Sequence, residues 1–248
     1  MLILEHYSLI MKLDILAFGA HPDDVELGAG GVIAKEVAKG KKVAIVDLTR
    51  GELGTRGSAD LRDLEAIASS KVLGIEFRSN LGFRDGFFLN DEAHKLAIIK
   101  QIRKYKPTVV LCNAIYDRHI DHGRGSNLVS EACFLSGLSK IVTSYDGINQ
   151  EAWRPEVVYH YIQDRFIKPD FVVDISDFIE TKMNAVKSFG SQFYNPNSTE
   201  PETAISGIAF LEFVASRAKE VGRPAGFSYA EAFTVERTIG VNSFFDLL

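Results

Sequence analysis

Cysteine, tryptophan and positive charge are scarce in this sequence, and so is any long apolar run. Its 248 residues include two cysteines, one tryptophan and seven prolines. Cys112 and Cys133 cannot build a disulfide framework and suit a reducing compartment. Lys and Arg number 28 against 33 Asp and Glu, a net charge of −5, so the basic excess of a general nucleic-acid binder is missing. No segment approaches the ~18–20 uncharged apolar residues of a membrane span. The chain therefore reads as cytoplasmic, with neither membrane nor nucleic acid as partner. No Gly-x-Ser-x-Gly elbow occurs, which disfavours a serine acyl-enzyme route. What is present is 46% hydrophobic and 25% charged residues, the balance of a soluble globular protein long enough to bury a full core.

Residues 1–10 read as a short N-terminal extension, and 11–248 as a single domain. Short apolar runs predict strands at Lys12–Ala20, Lys42–Leu48, Glu76–Leu81, Thr108–Asn113, Val157–Ile162 and Phe171–Asp174. Between and after them, helical spacing and stop signals predict helices over Leu27–Lys39, Asp60–Leu73, Asp91–Tyr105 and Ser126–Leu138. Two more are expected near Ser176–Phe189 and Thr203–Val221. Strands alternating with helices of this length imply βαβ units with right-handed crossovers. The expected fold is α/β, a Rossmann-like open, mainly parallel sheet with helices on both faces.

Two loops gather groups that are costly to bring together. The first strand is followed by Ala20-His21-Pro22-Asp23-Asp24-Val25-Glu26, and the fourth by Asp117-Arg118-His119-Ile120-Asp121-His122. In an open doubly wound sheet the first and fourth strands commonly lie side by side where the strand order reverses, and ligands bind outside their carboxyl ends. Imidazoles with a carboxylate are a normal zinc ligand set, and a catalytic zinc keeps a position open for water. Neighbouring residues in the turn after Pro22 point different ways, so one of Asp23 and Asp24 can hold metal while the other faces water; spacing does not choose between them. The bland alternative is that Asp23, Asp24 and Glu26 merely cap a helix. The convergence of both loops on adjacent strand ends favours a site.

A nucleotide-binding Rossmann module is the competing class, with Gly28, Gly30, Gly31 and Asp47 as its candidate features. The glycines come too late after the first strand, and Asp23 and Asp24 would repel a pyrophosphate there. The two cysteines fall in a strand and a helix rather than a ligand-spaced pair, and read as core.

The AHPDDVE segment, Ala20 to Glu26, and the HIDH segment, His119 to His122, resemble the LmbE/PIG-L family of zinc-dependent N-acetylglucosaminyl deacetylases. The glycine-rich TRGELGTRGS loop and the helix carrying Arg62 and Glu65 are similar to the family's second loop. Lys168–Ser176, Ser191-Gln192-Phe193 and Tyr229–Phe233 look most like the branch that deacetylates N-acetylglucosaminyl-malate in bacillithiol biosynthesis. Ile120 stands where proline is common, and Gly207-Ile208 where some members of that branch carry a tyrosine. The resemblance implies one zinc ion per chain, or another divalent metal, held by His21, Asp24 and His122. It implies Asp23 as general base, and a protonated His119, oriented by Asp121, at the oxyanion or the leaving amine. Arg62 and Arg118 match substrate-binding positions. The implied partner is a small amino-sugar conjugate, with other GlcNAc conjugates or chitooligosaccharides as alternatives, and the implied assembly is a homo-oligomer, hexamers being common.

Overall fold

The computed structural model describes residues 12–247. The expected extension over residues 1–10 lies outside the described residues. In chain order the elements are β1 (Ile15–Gly19), α1 (Asp24–Ala38), β2 (Val43–Thr49), α2 (Ala59–Leu73), β3 (Phe77–Phe83), α3 (Glu92–Tyr105), β4 (Val109–Cys112) and α4 (Ile120–Ser136). A small hairpin of β5 (Ser144–Tyr145) and β6 (Ile148–Asn149) follows, then β7 (Val157–Tyr161), β8 (Phe171–Asp174), α5 (Ile179–Lys187), α6 (Ile208–Gly222) and β9 (Ala230–Val235).

Seven strands form one sheet in the order β3-β2-β1-β4-β7-β9-β8. Strands β3, β2, β1, β4 and β7 pair in parallel, and β9 runs antiparallel to both β7 and β8. This is the expected α/β, mainly parallel sheet. Successive side chains on a strand point to opposite faces, and the core divides accordingly. Leu16, Phe18, Val46 and Val110 pack with Ile98, Ile102, Leu128 and Val129 of α3 and α4. Ile15, Ala17, Ile45 and Leu111 pack instead with Val25, Ala29 and Ile33 of α1, Ala185 of α5 and Ala218 of α6. Helices therefore cover both faces, and β1, β2 and β4 are buried at nearly every position because neither face meets water; they are apolar apart from Asp47 and Thr49 at the end of β2. Among the described residues no helix is long and apolar enough to cross a membrane.

Gly28 and Gly31 lie inside α1 rather than in a phosphate-binding turn. A Cβ on Gly28 would come 2.1 Å from the Tyr161 ring, and one on Gly31 2.7 Å from Ile175. These glycines serve close helix packing, which removes the main support for the nucleotide-binding alternative. Both cysteines are free and buried, as expected.

Several elements differ from the sequence expectation, α1 beginning at Asp24 rather than Leu27 and α5 at Ile179 rather than Ser176. Helix α4 begins at Ile120 rather than Ser126, because His119 caps it by accepting the Asp121 backbone N–H, and Gly123 and Gly125 are accommodated within the helix. Helix α6 begins at Ile208 rather than Thr203. Strand β9 was not expected: Glu231 and Thr234 break its apolar pattern, yet both are buried in the folded chain.

Candidate active site

Strands β1 and β4 are direct neighbours, with Ile15 opposite Val109, and the strand order reverses between them. Their carboxyl ends are also stitched together: the Ala20 N–H donates to Asn113 Oδ1 at 2.8 Å. The chain then turns at Pro22 into α1. Asp23 adopts φ 123°, a region that side-chain-bearing residues avoid. Strain of this kind persists only where the surroundings impose it, and it concentrates at functional positions.

The two histidine loops meet here. Ring nitrogens of His21, His119 and His122 lie within 4.8 Å of one another. Asp24 sits between two of the rings, with Oδ2 3.5 Å from His21 Nδ1 and Oδ1 3.1 Å from His122 Nε2. The far nitrogen of each ring is held by carboxylate. His122 Nδ1 is 2.6 Å from Asp117 Oδ2, and His21 Nε2 is 3.0 Å from Asp85 Oδ1 and 3.4 Å from Asp121 Oδ2. Asp24 itself accepts from Asn113 Nδ2 at 3.0 Å and Gln163 Nε2 at 2.6 Å. Carboxylate-anchored imidazoles beside an amide-anchored carboxylate match the arrangement of a metal centre and its supporting shell.

Electrostatics follow from burial and crowding. Burial alone would lower the His21 and His122 pKa values, but the surrounding aspartates win. His21 is held well above its ordinary value and His122 is pushed up to about 9. Burial raises Asp24, yet His122 and His21 outweigh it and hold the carboxyl well below its usual range. Asp23 has no such partner: burial pushes it up to about 7, against the opposing pull of Arg62, whose NH1 lies 3.6 Å away. His119 is lowered by burial and by the charge on His21 and His122. These effects pull His119 toward its neutral form.

Asp121 meets His119 through its backbone N–H, which donates to Nδ1 at 3.2 Å. Its carboxylate instead accepts from Gly86 N–H and Arg124 NH1, each at 2.7 Å, and faces His21. In neutral His119 an accepting Nδ1 puts the ring hydrogen on Nε2.

His21, Asp23, Asp24, Asp85, His119, His122 and Gln163 line one cavity of about 360 Å³, which also takes in Arg62, Arg118, Ile162, Phe210, Phe213 and Arg217. Arg62 is buried and its NH1 donates to the Pro22 carbonyl at 2.9 Å, supporting the turn that carries Asp23. Arg118 is half-exposed, its Nε 3.0 Å from Asp164 Oδ2. Sequence reading gave no role to Asp85, Asn113, Asp117 or Gln163. Asp117 alone left a signal, a carboxylate five residues before His122 in the same loop.

The chain matches the GlcNAc-PI de-N-acetylase (PIG-L) family over residues 16–133. It is 31% identical to a diacetylchitobiose deacetylase of Thermococcus kodakarensis over 72% of this chain and 70% of that protein. A probable N-acetyl-alpha-D-glucosaminyl L-malate deacetylase 2 of Bacillus subtilis is 28% identical over 73% of this chain and 84% of its own. Among solved structures, the conserved protein TT1542 of Thermus thermophilus superposes with a TM-score of 0.82 at 34% identity, covering 94% of this chain and 98% of that one.

Proposed function

The chain belongs to the PIG-L family of GlcNAc-PI de-N-acetylases, and from that premise we propose that it hydrolyses the N-acetyl group of an N-acetylglucosaminyl conjugate, using one zinc ion held by His21, Asp24 and His122. One observation carries this: Asp24 lies between the two imidazoles while Asp117, Asp85 and Asp121 hold their far nitrogens. Two imidazoles and one carboxylate are a catalytic zinc set with a position left open, and another divalent ion fits the same donors. Zinc bound there supplies a Lewis acid and water acidified to a pKa of about 7.

The chain's own residues supply the rest. Asp23, buried, strained and without a hydrogen-bonding partner for its carboxylate among the described residues, takes a proton from the water that attacks the acetyl carbonyl. It then passes that proton to the departing amine. Arg62 steadies the Pro22–Asp23 turn and moderates the rise in the Asp23 pKa. His119 stands at the N-terminus of α4 as a neutral ring whose Nε2–H donates to the developing oxyanion. A neutral imidazole at a helix N-terminus can polarise a carbonyl in this way. Asp121 sets that tautomer through its N–H and braces His21 through its carboxylate.

N-Acetylglucosaminyl-malate, and with it a place in bacillithiol biosynthesis, is the aglycone reading supported by the name of the B. subtilis relative and by Arg118. Of Arg50, Arg56, Arg62, Arg118 and Arg124, which lie in or beside the loops after β2 and β4, four are spent on partners within the chain. Arg50 pairs with Asp60 and Asp63, Arg56 with Ser198 and Glu200, Arg62 with Pro22 and Asp23, and Arg124 with Asp121 and Gly86. Arg118 keeps its terminal nitrogens free of hydrogen-bond partners among the described residues and suits a carboxylate. The T. kodakarensis relative, named for diacetylchitobiose, favours a chitooligosaccharide as the second reading. Self-association into a homo-oligomer belongs to the same reading and is checked by light scattering.

The test is acetate release by purified protein of measured metal content, on N-acetylglucosaminyl-malate, chitobiose and free N-acetylglucosamine. Activity should be lost on chelation and restored by zinc. Protein that neither binds a divalent ion nor releases acetate from any of the three would overturn the proposal.

A further inference from the structure

The cavity changes character along the edge of the sheet. Strand order places β7 and then β9 beyond β4, on the side away from β1. Tyr161 at the end of β7 pairs with Phe233, so the first residues of β9 stand at the same edge as the histidine loops. The cavity follows that edge. Over β1 and β4 it holds His21, Asp23, Asp24, His119 and His122, and over β7 and β9 it passes beneath α6. There it is lined by Ile162, Val214, Ala218, Val221, Ala230 and Ala232. Val214, Ala218 and Val221 recur at helical spacing and form one buried face of α6. Val221 packs with Ile162, Ala230 and Ala232.

The polar groups at this end are already committed to one another. Lys182 and Glu231 pair at 2.5 Å, and they also hold the Leu27 carbonyl and the Gly31 and Val32 N–H groups. Gln163 donates to Asp24 and accepts from Asn113. Arg217 has Glu220 3.3 Å from its Nε and donates through NH2 to the Asp164 carbonyl. A sugar ring carries hydroxyls on most of its carbons, and a hydroxyl buried without a partner is unfavourable. The wall beneath α6 therefore does not suit the sugar. On an N-acylated amino sugar the acyl chain is the part that is apolar throughout, and its burial is favourable. An acetyl group brings a single methyl, which covers little of a wall drawn from α6, β9 and the end of β7.

We propose that the end of the cavity beneath α6 is an acyl-chain subsite, which fits the protein to N-acyl amino sugars with chains longer than acetyl, butanoyl and hexanoyl amides among them. This rests on reading the histidine end as the site of amide hydrolysis. The chemistry balances as it does for acetyl. Water adds to the acyl carbonyl, the C–N bond breaks, and the products are the carboxylic acid and the free amine, with nothing oxidised or reduced. Each methylene taken out of water contributes roughly fourfold in affinity, at ~0.8 kcal/mol per buried CH₂. Ala218 lies in the middle of the α6 face, so a larger side chain there takes up the space that the chain would fill.

The test uses the full, zinc-loaded chain with N-acetyl-, N-butanoyl- and N-hexanoylglucosamine, and with hexyl N-acetylglucosaminide, which carries its chain on the aglycone instead. Amine release is measured on the unmodified protein. Binding is measured by calorimetry on Asp23→Asn, so that hydrolysis does not interfere. Affinity should rise about tenfold at each step from acetyl to butanoyl to hexanoyl, and the amine should be released from all three. In Ala218→Leu, or in Val214→Phe if the first does not fold, the hexanoyl-over-acetyl ratio of kcat/KM should fall at least tenfold. Equal or falling affinity along the acyl series would overturn the subsite. So would a ratio that neither variant changes, or a gain confined to the hexyl glycoside, which would give this wall to the aglycone. Chain-length-dependent binding, weakened by the variants but without amine release from any probe, would leave the subsite standing and remove the deacetylase reading instead.

Discussion

Asp117 and His122, five residues apart in sequence, meet at 2.6 Å between Oδ2 and Nδ1 across the junction between the β4 loop and α4. The contact directs His122 Nε2 toward Asp24, and the Asp117 carboxylate is anchored in turn by the Arg165 backbone N–H at 2.7 Å. The loop, the helix start and the strand end after β7 are thereby locked around one imidazole.

Asp117→Asn keeps the size but weakens the acceptor, so the His122 ring should be less basic and less firmly oriented. Zinc affinity is expected to fall about 10- to 100-fold, the usual cost of losing a partner behind a metal ligand. Competition with a chromophoric chelator measures it, and an affinity equal to that of the unmodified protein would remove His122 from the ligand set.

His122→Ala and Asp23→Asn should fail differently. The first is expected to lower zinc content and abolish turnover together. The second should keep its zinc while kcat drops ~10²–10⁴-fold, the range for loss of a general base. Metal analysis beside steady-state kinetics separates them. Equal metal loss in both variants would exchange the roles of Asp23 and Asp24.

Zinc uptake should release protons. Without metal, His21 is held well above its ordinary pKa and His122 at about 9, so both carry a proton at pH 7. A ligating imidazole must give that proton up. The sign follows: zinc affinity should weaken as pH falls below about 9, because protons compete for the same nitrogens. Calorimetric titration with zinc in buffers of different ionisation heat reads the proton count. Heats that do not vary with buffer would mean that neither ring is displaced.

Lys182 and Glu231 form a buried pair at 2.5 Å. Glu231 also accepts the Gly31 and Val32 N–H groups, and Lys182 donates to the Leu27 carbonyl. Lys182→Met leaves a buried carboxylate without its cation and is expected to destabilise the protein by about 3–5 kcal/mol. The Lys182→Met/Glu231→Gln double variant should recover part of that loss in urea unfolding. A double variant no more stable than the single would show that the cost is packing rather than charge.

The sequence by itself determined the alternation of strands and helices, the choice of an α/β sheet, and the two loops that bear His21, Asp23, Asp24, His119, Asp121 and His122. These are local properties. Strand and helix periods are written in neighbouring residues, and turn residues mark the ends of each run. Only the tertiary structure decided which groups stand behind those side chains. Asp85 reaches His21 across 64 residues of sequence, and Asn113 and Gln163 reach Asp24 across 89 and 139. It also separated the two roles of Asp121, backbone toward His119 and carboxylate toward His21, which a residue name does not distinguish. Strand β9 belongs to the same class. Its polar residues Glu231 and Thr234 look misplaced in one dimension, because what buries them is supplied by elements distant in sequence that packing brings beside them.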